Sequence, residues 1–540
     1  MTTSGIEDAP KNGSMSPSYR RDIRGWRGLV KSQGLQITIL LSALIVLGCQ
    51  LRIQPVDLSQ DTPVNLTLLP PAHLHILIPA SRPDVNLCKV LLSASVLGYP
   101  SPVIINWNQE FNDNSLVEGG SHLAKISGIY DYVSDLAAAH DNDLVLMLDG
   151  YDVWLQLRAQ TLLDRYYHLN RLADTRIHAE MGSAANETRQ EIIFGCQKRC
   201  WPWTPQDPPC YAVPNSTLPK NVYGSRTDTL ATEDNPFINY RPRFLNSGTA
   251  IGPVKAMRKL FGQALKQARD EPNIGSDQYI FSHIFGDQEI WREAIGRDAI
   301  LGQQRTRSGP KQGLRGREFF IEEHISEVRA KAAEREDGNF EFGIGVDYGA
   351  EIVLNTVFAE EDTAWLAFSN RTQIVQASLE HADAAKSVKF LADDIASTLP
   401  PFWTSSTEDL PRTREWQNIS LLTDIYTGNT PVVVHHNAHR DNLKSRRESW
   451  WPLTWFYVHA RTLLDISVYN PLVALAVSGY DKSSRRQWWA FGTWKGGARD
   501  GSWKAGDEGE GWLRFDDICR EYHEEIFGDD RGPWELPVAH

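Results

Sequence analysis

Asp143-Leu144-Val145-Leu146-Met147-Leu148-Asp149-Gly150-Tyr151-Asp152-Val153-Trp154-Leu155 is the stretch whose reading decides the fold. An apolar run of strand length that ends abruptly in two carboxylates, Asp149 and Asp152, describes a buried strand delivering acids to the carboxyl edge of a sheet. Open α/β sheets bind their ligands at that edge. Upstream, His73–Ile78 reads as an apolar strand closing in Pro79-Ala80-Ser81, and Val85, Leu87, Val90, Leu91 and Leu92 follow at helical spacing. Pro102–Trp107 is a second strand, Gly119-Gly120-Ser121 a turn, and Leu123–Ala139 a helix with Ile126, Ile129, Tyr130, Val133 and Leu136 on one face. Strand, helix, strand, helix, strand is the doubly wound α/β pattern, whose parallel strands bring their loops to one edge.

The same rhythm continues downstream. Leu162–Leu172 reads as helix, Glu191–Gly195 as strand, and Phe244–Gly252 as a strand whose glycines admit a close backbone approach. Helices follow at Val254–Arg269 and from Asp277. Residues 303–340 are charged and lack an apolar stripe, which predicts a peripheral insertion with a surface helix over Glu322–Glu336. Sheet patterning returns at Phe342–Phe358, a helix is expected over 380–397, and the strand Pro431–Val434 ends in His435-His436-Asn437. The Trp- and Gly-rich extension 476–540 shows no fold of its own, leaving 73–475 as the α/β domain, a Rossmann-like nucleotide-binding sheet flanked by helices.

Bulk properties narrow the field. The 540 residues carry a net charge of −13, which argues against a general nucleic-acid binder, since phosphate binding needs clustered Lys and Arg. Six cysteines are too few for a disulfide scaffold. Three of them, Cys196, Cys200 and Cys210, share one loop-like stretch in which a local disulfide can form, with the pairing open.

The N-terminus speaks to the compartment. Residues 1–33 form a polar tail with Arg20, Arg21, Arg24, Arg27 and Lys31 just before the uncharged run Leu35–Cys49. Basic residues flank membrane spans on the cytoplasmic side, so 34–53 reads as a transmembrane signal anchor with the remainder lumenal, a single-pass type II arrangement in the Golgi or ER membrane. The run is shorter than the ~20 residues of an ordinary span, which leaves a cleaved signal peptide as the alternative. Residues 54–72 are a stem, and Asn65, Asn186, Asn215, Asn370 and Asn418 open N-glycosylation sequons beyond the span.

Asp149 and Asp152 at one strand end would repel each other unless a cation sat between them. Mn²⁺ and Mg²⁺ prefer oxygen ligands and bridge carboxylates to substrate phosphates, and an imidazole from His435 would favour Mn²⁺. Metal on a diphosphate stabilises charge on the departing oxygen, so displacement from a nucleoside diphosphate-sugar is the natural reaction. Tyr151 stands where it can stack on a base or cover the sugar. The plainer reading makes Asp149 and Asp152 turn and helix caps, His435 a structural imidazole, and Trp154 and Trp201 core residues.

Several landmarks in order shift that balance: Gly119-Gly120 with Lys125, Asp149-Gly150-Tyr151-Asp152-Val153, Cys200-Trp201-Pro202, Leu245-Asn246-Ser247-Gly248, Asp277-Gln278, Val346-Asp347 and His435-His436-Asn437. Together they resemble the glycosyltransferase domain of the procollagen lysyl hydroxylases and related collagen glycosyltransferases, a look shared by a group of uncharacterised fungal proteins. The resemblance implies a GT-A-like fold, a UDP-sugar donor and Mn²⁺ or another divalent cation, with Asp149, Asp152 and His435 as metal ligands. It matches Tyr151, Trp107 and Lys125 to nucleotide contacts, and Asp277 and Trp201 to the acceptor side. Ala80, Asn246 and Asn437 join the cofactor-side candidates, and Asp277 or Asp347 is the candidate general base by position. The family's His-Gly-Asn is His-His-Asn here, so His436 is an alternative ligand, and Lys125 lies one residue further from Gly119-Gly120 than the family pattern has it. No hydroxylase module is recognisable, so a glycoprotein or glycan acceptor follows but collagen does not. A non-catalytic lumenal binding protein on a degenerate transferase fold and a metal-dependent phosphohydrolase remain the competing readings.

Overall fold

The computed structural model describes residues 67–112, 114, 120–182, 188–201, 204–231, 234–271, 273–303, 317–380, 388, 390–402, 410–411, 414–438, 444–469, 474–481, 483–491, 501–505 and 511–535. The expected tail, the anchor at 34–53 and the stem up to residue 66 lie outside them, as do Gly119, Asn65 and Asn186. Among the described residues no helix is long and apolar enough to cross a membrane. Leu66–His540 forms one compact unit.

In chain order its elements are β1 (Thr67–Leu68), β2 (Ala72–Pro79), α1 (Val85–Val96), β3 (Val103–Ile105), α2 (Ala124–Asp135), β4 (Leu144–Leu148), β5 (Val153–Leu155), α3 (Ala159–Met181), β6 (Ile192–Gln197) and β7 (Phe244–Pro253). There follow α4 (Val254–Asp270), α5 (Asp277–Gln303), α6 (Arg317–Ala333), β8 (Ile344–Val346), β9 (Val353–Asn355), β10 (Thr363–Ala367), α7 (Arg371–Glu380), β11 (Ser420–Asp424) and β12 (Val433–His435). The chain closes with α8 (Ala460–Tyr469), β13 (Ala476–Ser478), β14 (Ser484–Ala490), β15 (Gly501–Lys504), β16 (Trp512–Arg514) and α9 (Phe515–Cys519).

One large, mostly parallel sheet runs β16-β15-β3-β2-β4-β7-β6-β9-β12-β5, with β8 beside β6, and β14 beside β2 carrying β1 and β13. β2, β3, β4, β6, β9 and β12 point the same way, while β7 and β5 oppose them. Alternation along the strands explains the layers. Leu74, Ile76, Ile78, Leu144, Leu146 and Leu148 pack with α1 and α3 on one face, and Leu77, Val145 and Met147 pack with α2, α4 and α5 on the other. Both faces are covered, as a parallel sheet requires, and each fully buried aliphatic side chain contributes about 1.5–3 kcal/mol. β10 and β11 form a separate antiparallel pair over a small core of Leu366, Phe368, Ile374 and Ile425.

The strand that ends at the acids is as expected; beyond it the chain turns at Asp149–Asp152, and a second strand, β5, crosses to the far edge of the sheet to lie antiparallel to β12. The helix of the 303–340 segment, α6, is not a bare surface helix: it buries Ile321, Val328 and Ala332, a single narrow row, in the core that also holds Ile280 and Ile284 of α5. Of the helix expected over 380–397, residues 381–387 and 389 lie outside the described residues; the described chain has a helix at Arg371–Glu380 and a short one at Asp393–Ala396. The extension 476–540 supplies β13 to β16 to the main sheet, and a disulfide between Cys88 of α1 and Cys519 of α9 closes a span of 431 residues. These terminal strands are short and pair with partners hundreds of residues earlier, such as Trp488 with Ala72, so no local pattern marks them.

Candidate functional site

The topology turns strand ends into a site. β4 delivers Asp149, whose backbone N–H donates to Gly248 O at 2.8 Å, closing the ladder with β7. Gly150 passes so close to the end of β2 that a Cβ there would lie 2.5 Å from Pro79 O, so the turn requires glycine. Asp152 opens β5, and His435 closes the neighbouring β12, opposite Val153. Thus Asp149, Asp152 and His435 offer ligand atoms within 4.8 Å of one another. The imidazole Nε2 stands 3.4 Å from Asp152 Oδ1 and 3.8 Å from Asp149 Oδ2. His435 is buried, while the two carboxylates are about a third exposed, at 31% and 29%.

The charges are strongly coupled. Burial, opposed by Lys125 and reinforced by Asp152, pushes the Asp149 carboxyl up. Burial also acts on Asp152, but the charge and hydrogen bond of His435 outweigh it and hold that carboxyl down. Burial opposes a charge on His435 too, and Asp152 reverses the balance, raising the imidazole above its ordinary value. A divalent ion is the group that would relieve this crowding of acids.

Lys125, on α2, joins the cluster to the acceptor-side candidates. Its Nζ lies 2.9 Å from Asp149 Oδ1 and 2.5 Å from Asp277 Oδ2, and donates to Ser247 O at 3.2 Å. Burial alone would favour the neutral amine, and the two carboxylates outweigh it, so the ammonium is kept. Asp277 begins α5, where the helix N-terminus favours negative charge. The next residue, Gln278, donates to the backbone O of Trp201 at 3.4 Å. Trp201 is 51% exposed, with the Arg199 guanidinium 4.3 Å from its ring centre, so it is a surface aromatic and not a core one.

The remaining candidates frame the edge. Tyr151 keeps its hydroxyl on the loop after β2, accepting from the backbone of Ser81 at 3.0 Å and Arg82 at 3.2 Å. Ala80 is buried in that loop, tied by its N–H to Ile105 O. Trp107 is half-buried against the same core as Tyr151, between Asn106 and Asn108, both in the left-handed region at φ 65° and 59°. Asn246 donates to Gln197 and Gln278 and accepts from Gly248 N, bracing the end of β7. Asn437 accepts from Val357 N and so ties the segment after β12 to the segment after β9.

Two candidates lie apart from the Asp149–Asp152–His435 cluster. Asp347 is buried, and its carboxylate accepts three backbone N–H groups, from Glu351, Ile352 and Val353 at 3.1, 2.6 and 2.9 Å; it organises the turn into β9 and takes no part in the cluster. His436, the alternative ligand, faces the opposite side of the strand. Its ring packs 3.8 Å from that of Trp154, and burial holds it well below its ordinary value. Among the cysteines, Cys200 pairs with Cys210 and Cys196 is buried and free.

Sequence reasoning missed Asn355, whose Oδ1 lies 2.8 Å from His435 Nδ1 and orients the ring. The signal was the one already used for Asp149: an apolar run, Ile352-Val353-Leu354, ending in a polar residue. It also missed Arg447, which donates to Tyr151 O at 2.8 Å. Compared with known proteins, the chain matches no family model and no curated protein.

Proposed function

We propose that the protein is a divalent-metal-dependent glycosyltransferase of GT-A type that moves sugar from a UDP-sugar to a lumenal glycoprotein or glycan. The observation that carries this reading is the convergence of Asp149, Asp152 and His435 at the carboxyl edge of a parallel sheet, beside the Lys125–Asp277 ion pair. Two carboxylates with one imidazole form an oxygen-rich donor set suited to Mn²⁺ or Mg²⁺. The missing side chain at Gly248 leaves the space that the His435 ring fills. When bound, such an ion offsets diphosphate charge on the departing nucleotide.

The chain's own residues supply the rest. Lys125 adds a buried positive charge at the same edge, and Trp107 and Tyr151 are the aromatic groups available to a base or ribose. Trp201 offers an exposed apolar face to an acceptor, and Asp277 is the carboxylate suited to accept its proton. The exposed sequon asparagines Asn215, Asn370 and Asn418, together with the two disulfides, support an oxidising lumenal compartment, in keeping with a type II anchor in the Golgi or ER membrane.

One contact favours a second reading. Lys125 engages Asp277 at 2.5 Å, tying up the candidate base, as in a non-catalytic binding protein. A screen of UDP-sugars with the full chain in detergent and Mn²⁺ separates them: metal-dependent release of UDP with a glycosylated acceptor is expected. Binding of UDP and Mn²⁺ without turnover would leave only the binding protein. Free sugar with no acceptor product would mark a phosphohydrolase, and no nucleotide binding at millimolar concentration would end all three readings.

A further inference from the structure

The strand that delivers Asp149 to one edge of the sheet begins at the other edge with a second carboxylate. Asp143 directly precedes β4, its side chain 5% exposed, and three imidazoles converge on its Oδ2. His140 Nδ1 is 2.7 Å away, His73 Nδ1 3.2 Å and His75 Nε2 3.3 Å. The other oxygen, Oδ1, accepts the backbone N–H of His73 at 2.8 Å. The fold makes this meeting: His73 and His75 are alternate residues of β2, β2 and β4 are parallel neighbours, and His140 ends the short helical turn Ala138–His140 that feeds β4.

Three ring nitrogens on one carboxylate oxygen exceed the about two lone pairs it presents, and each neutral imidazole brings only one N–H. A cation accepts the nitrogen lone pairs and the carboxylate charge together. The ligand atoms of His73, His140 and Asp143 all lie within 4.8 Å of one another, compatible with donors sharing one ion at bonds of about 2.0–2.2 Å. His75 is buried, and its second nitrogen is held by Tyr132 Oη at 2.9 Å, so it braces the carboxylate as an outer partner of a metal ligand does. Phe491 packs over the group, its ring centre 4.2 Å from that of His75 and 5.3 Å from that of His140. The side chains of His73 and His140 keep 31% and 30% exposure, enough for an ion to enter and for water to complete its coordination.

We propose that His73, His140 and Asp143 form a second metal site, for Zn²⁺ or a similar borderline divalent ion, at the sheet edge opposite Asp149. Two imidazoles and one carboxylate select zinc over Mg²⁺ or Ca²⁺, the reverse of the carboxylate-rich set at the other edge. Six residue steps of extended chain separate Asp143 from Asp149, about 20 Å, so the sites share no ligand. The ion clamps the start of β2 to the turn before β4, a structural role that does not rest on the transferase reading.

The test uses the full chain in detergent with the opposite edge silenced by Asp149→Asn and Asp152→Asn. After chelation and exchange into Zn²⁺, metal content after gel filtration should read a single equivalent per chain, and Co²⁺ in its place should give the visible absorption of a low-symmetry nitrogen-ligated ion. Adding His140→Gln, a partly exposed position on a turn, should weaken zinc binding by about 100-fold or more and abolish that absorption while circular dichroism stays unchanged. If that variant misfolds, His73→Gln serves as the second arm, with the same expectation. Absence of bound zinc in the silenced protein, or equal zinc retained after both histidine changes, overturns the proposal.

Discussion

The imidazole of His435 lies directly against the backbone of Gly248: a Cβ built at that glycine would stand 2.1 Å from His435 Cε1. Nothing larger than hydrogen fits while the ring faces Asp149 and Asp152. Gly248→Ala is therefore expected to displace the imidazole and weaken Mn²⁺ binding by about 10-fold or more, a loss comparable to removing an orienting partner. Calorimetric Mn²⁺ titration reads it, and unchanged affinity would show that ring position does not matter.

Asp149→Asn and Asp152→Asn keep side-chain volume while removing one charge from a crowded group. Metal-dependent UDP-sugar turnover is expected to fall by at least about 100-fold in each, with Tm held or raised in Asp149→Asn, whose charge burial and Asp152 disfavour, and lowered in Asp152→Asn, whose charge His435 stabilises. Full activity in both variants would sink the assignment of the metal site.

Lys125 is the ammonium between Asp149 and Asp277. Lys125→Met leaves both acids facing an apolar group, a change expected to cost about 3 kcal/mol and to abolish nucleotide binding. Denaturant unfolding and UDP titration measure the two effects separately; a variant as stable as the parent would show that the pair contributes nothing.

The Cys88–Cys519 bridge closes 431 residues, so its loss frees a very long loop in the unfolded chain. Cys519→Ser is expected to lower stability by about 2–4 kcal/mol, while Cys200→Ser, which opens a short loop, costs less. Thermal unfolding of the two variants ranks them, and the reverse order would refute this.

Asp424 gives a pH dependence. Burial, then the like charge of Asp362, pushes its carboxyl up to about 7. A carboxyl raised above its unfolded value keeps its proton in the native state after the unfolded chain has released it. Stability from this group therefore falls as pH rises from about 4 to 7 and is level above that. Asp424→Asn, which retains an oxygen for the N–H groups of Tyr426 and Thr427, should be neutral near pH 4 and stabilising by on the order of 2–4 kcal/mol at pH 8. Unfolding curves across pH check the slope.

Much of this was legible in the chain. The apolar run Leu144–Leu148 with acids after it implied a buried strand aimed at a ligand edge, because a strand covered on both faces is apolar at nearly every position, a local property of the chain. The narrow apolar row of α6 was hidden among charges, since one buried residue per turn or two leaves little periodic signal. The terminal strands were invisible because they are short and join the sheet through partners hundreds of residues earlier.

The sequence by itself determined the succession of strands and helices in the opening βαβαβ unit and the residue types at each strand end, since both follow from periodicity and side-chain chemistry. Only the tertiary structure decided which ends meet. It brought His435 to Asp152 across β5 and β12, turned His436 into the core against Trp154, walled in Asp347 with three amides, and gathered three histidines on Asp143. Those choices depend on pairing between strands up to hundreds of residues apart, and on which face of a strand a residue occupies once its register is set, neither of which a local pattern contains.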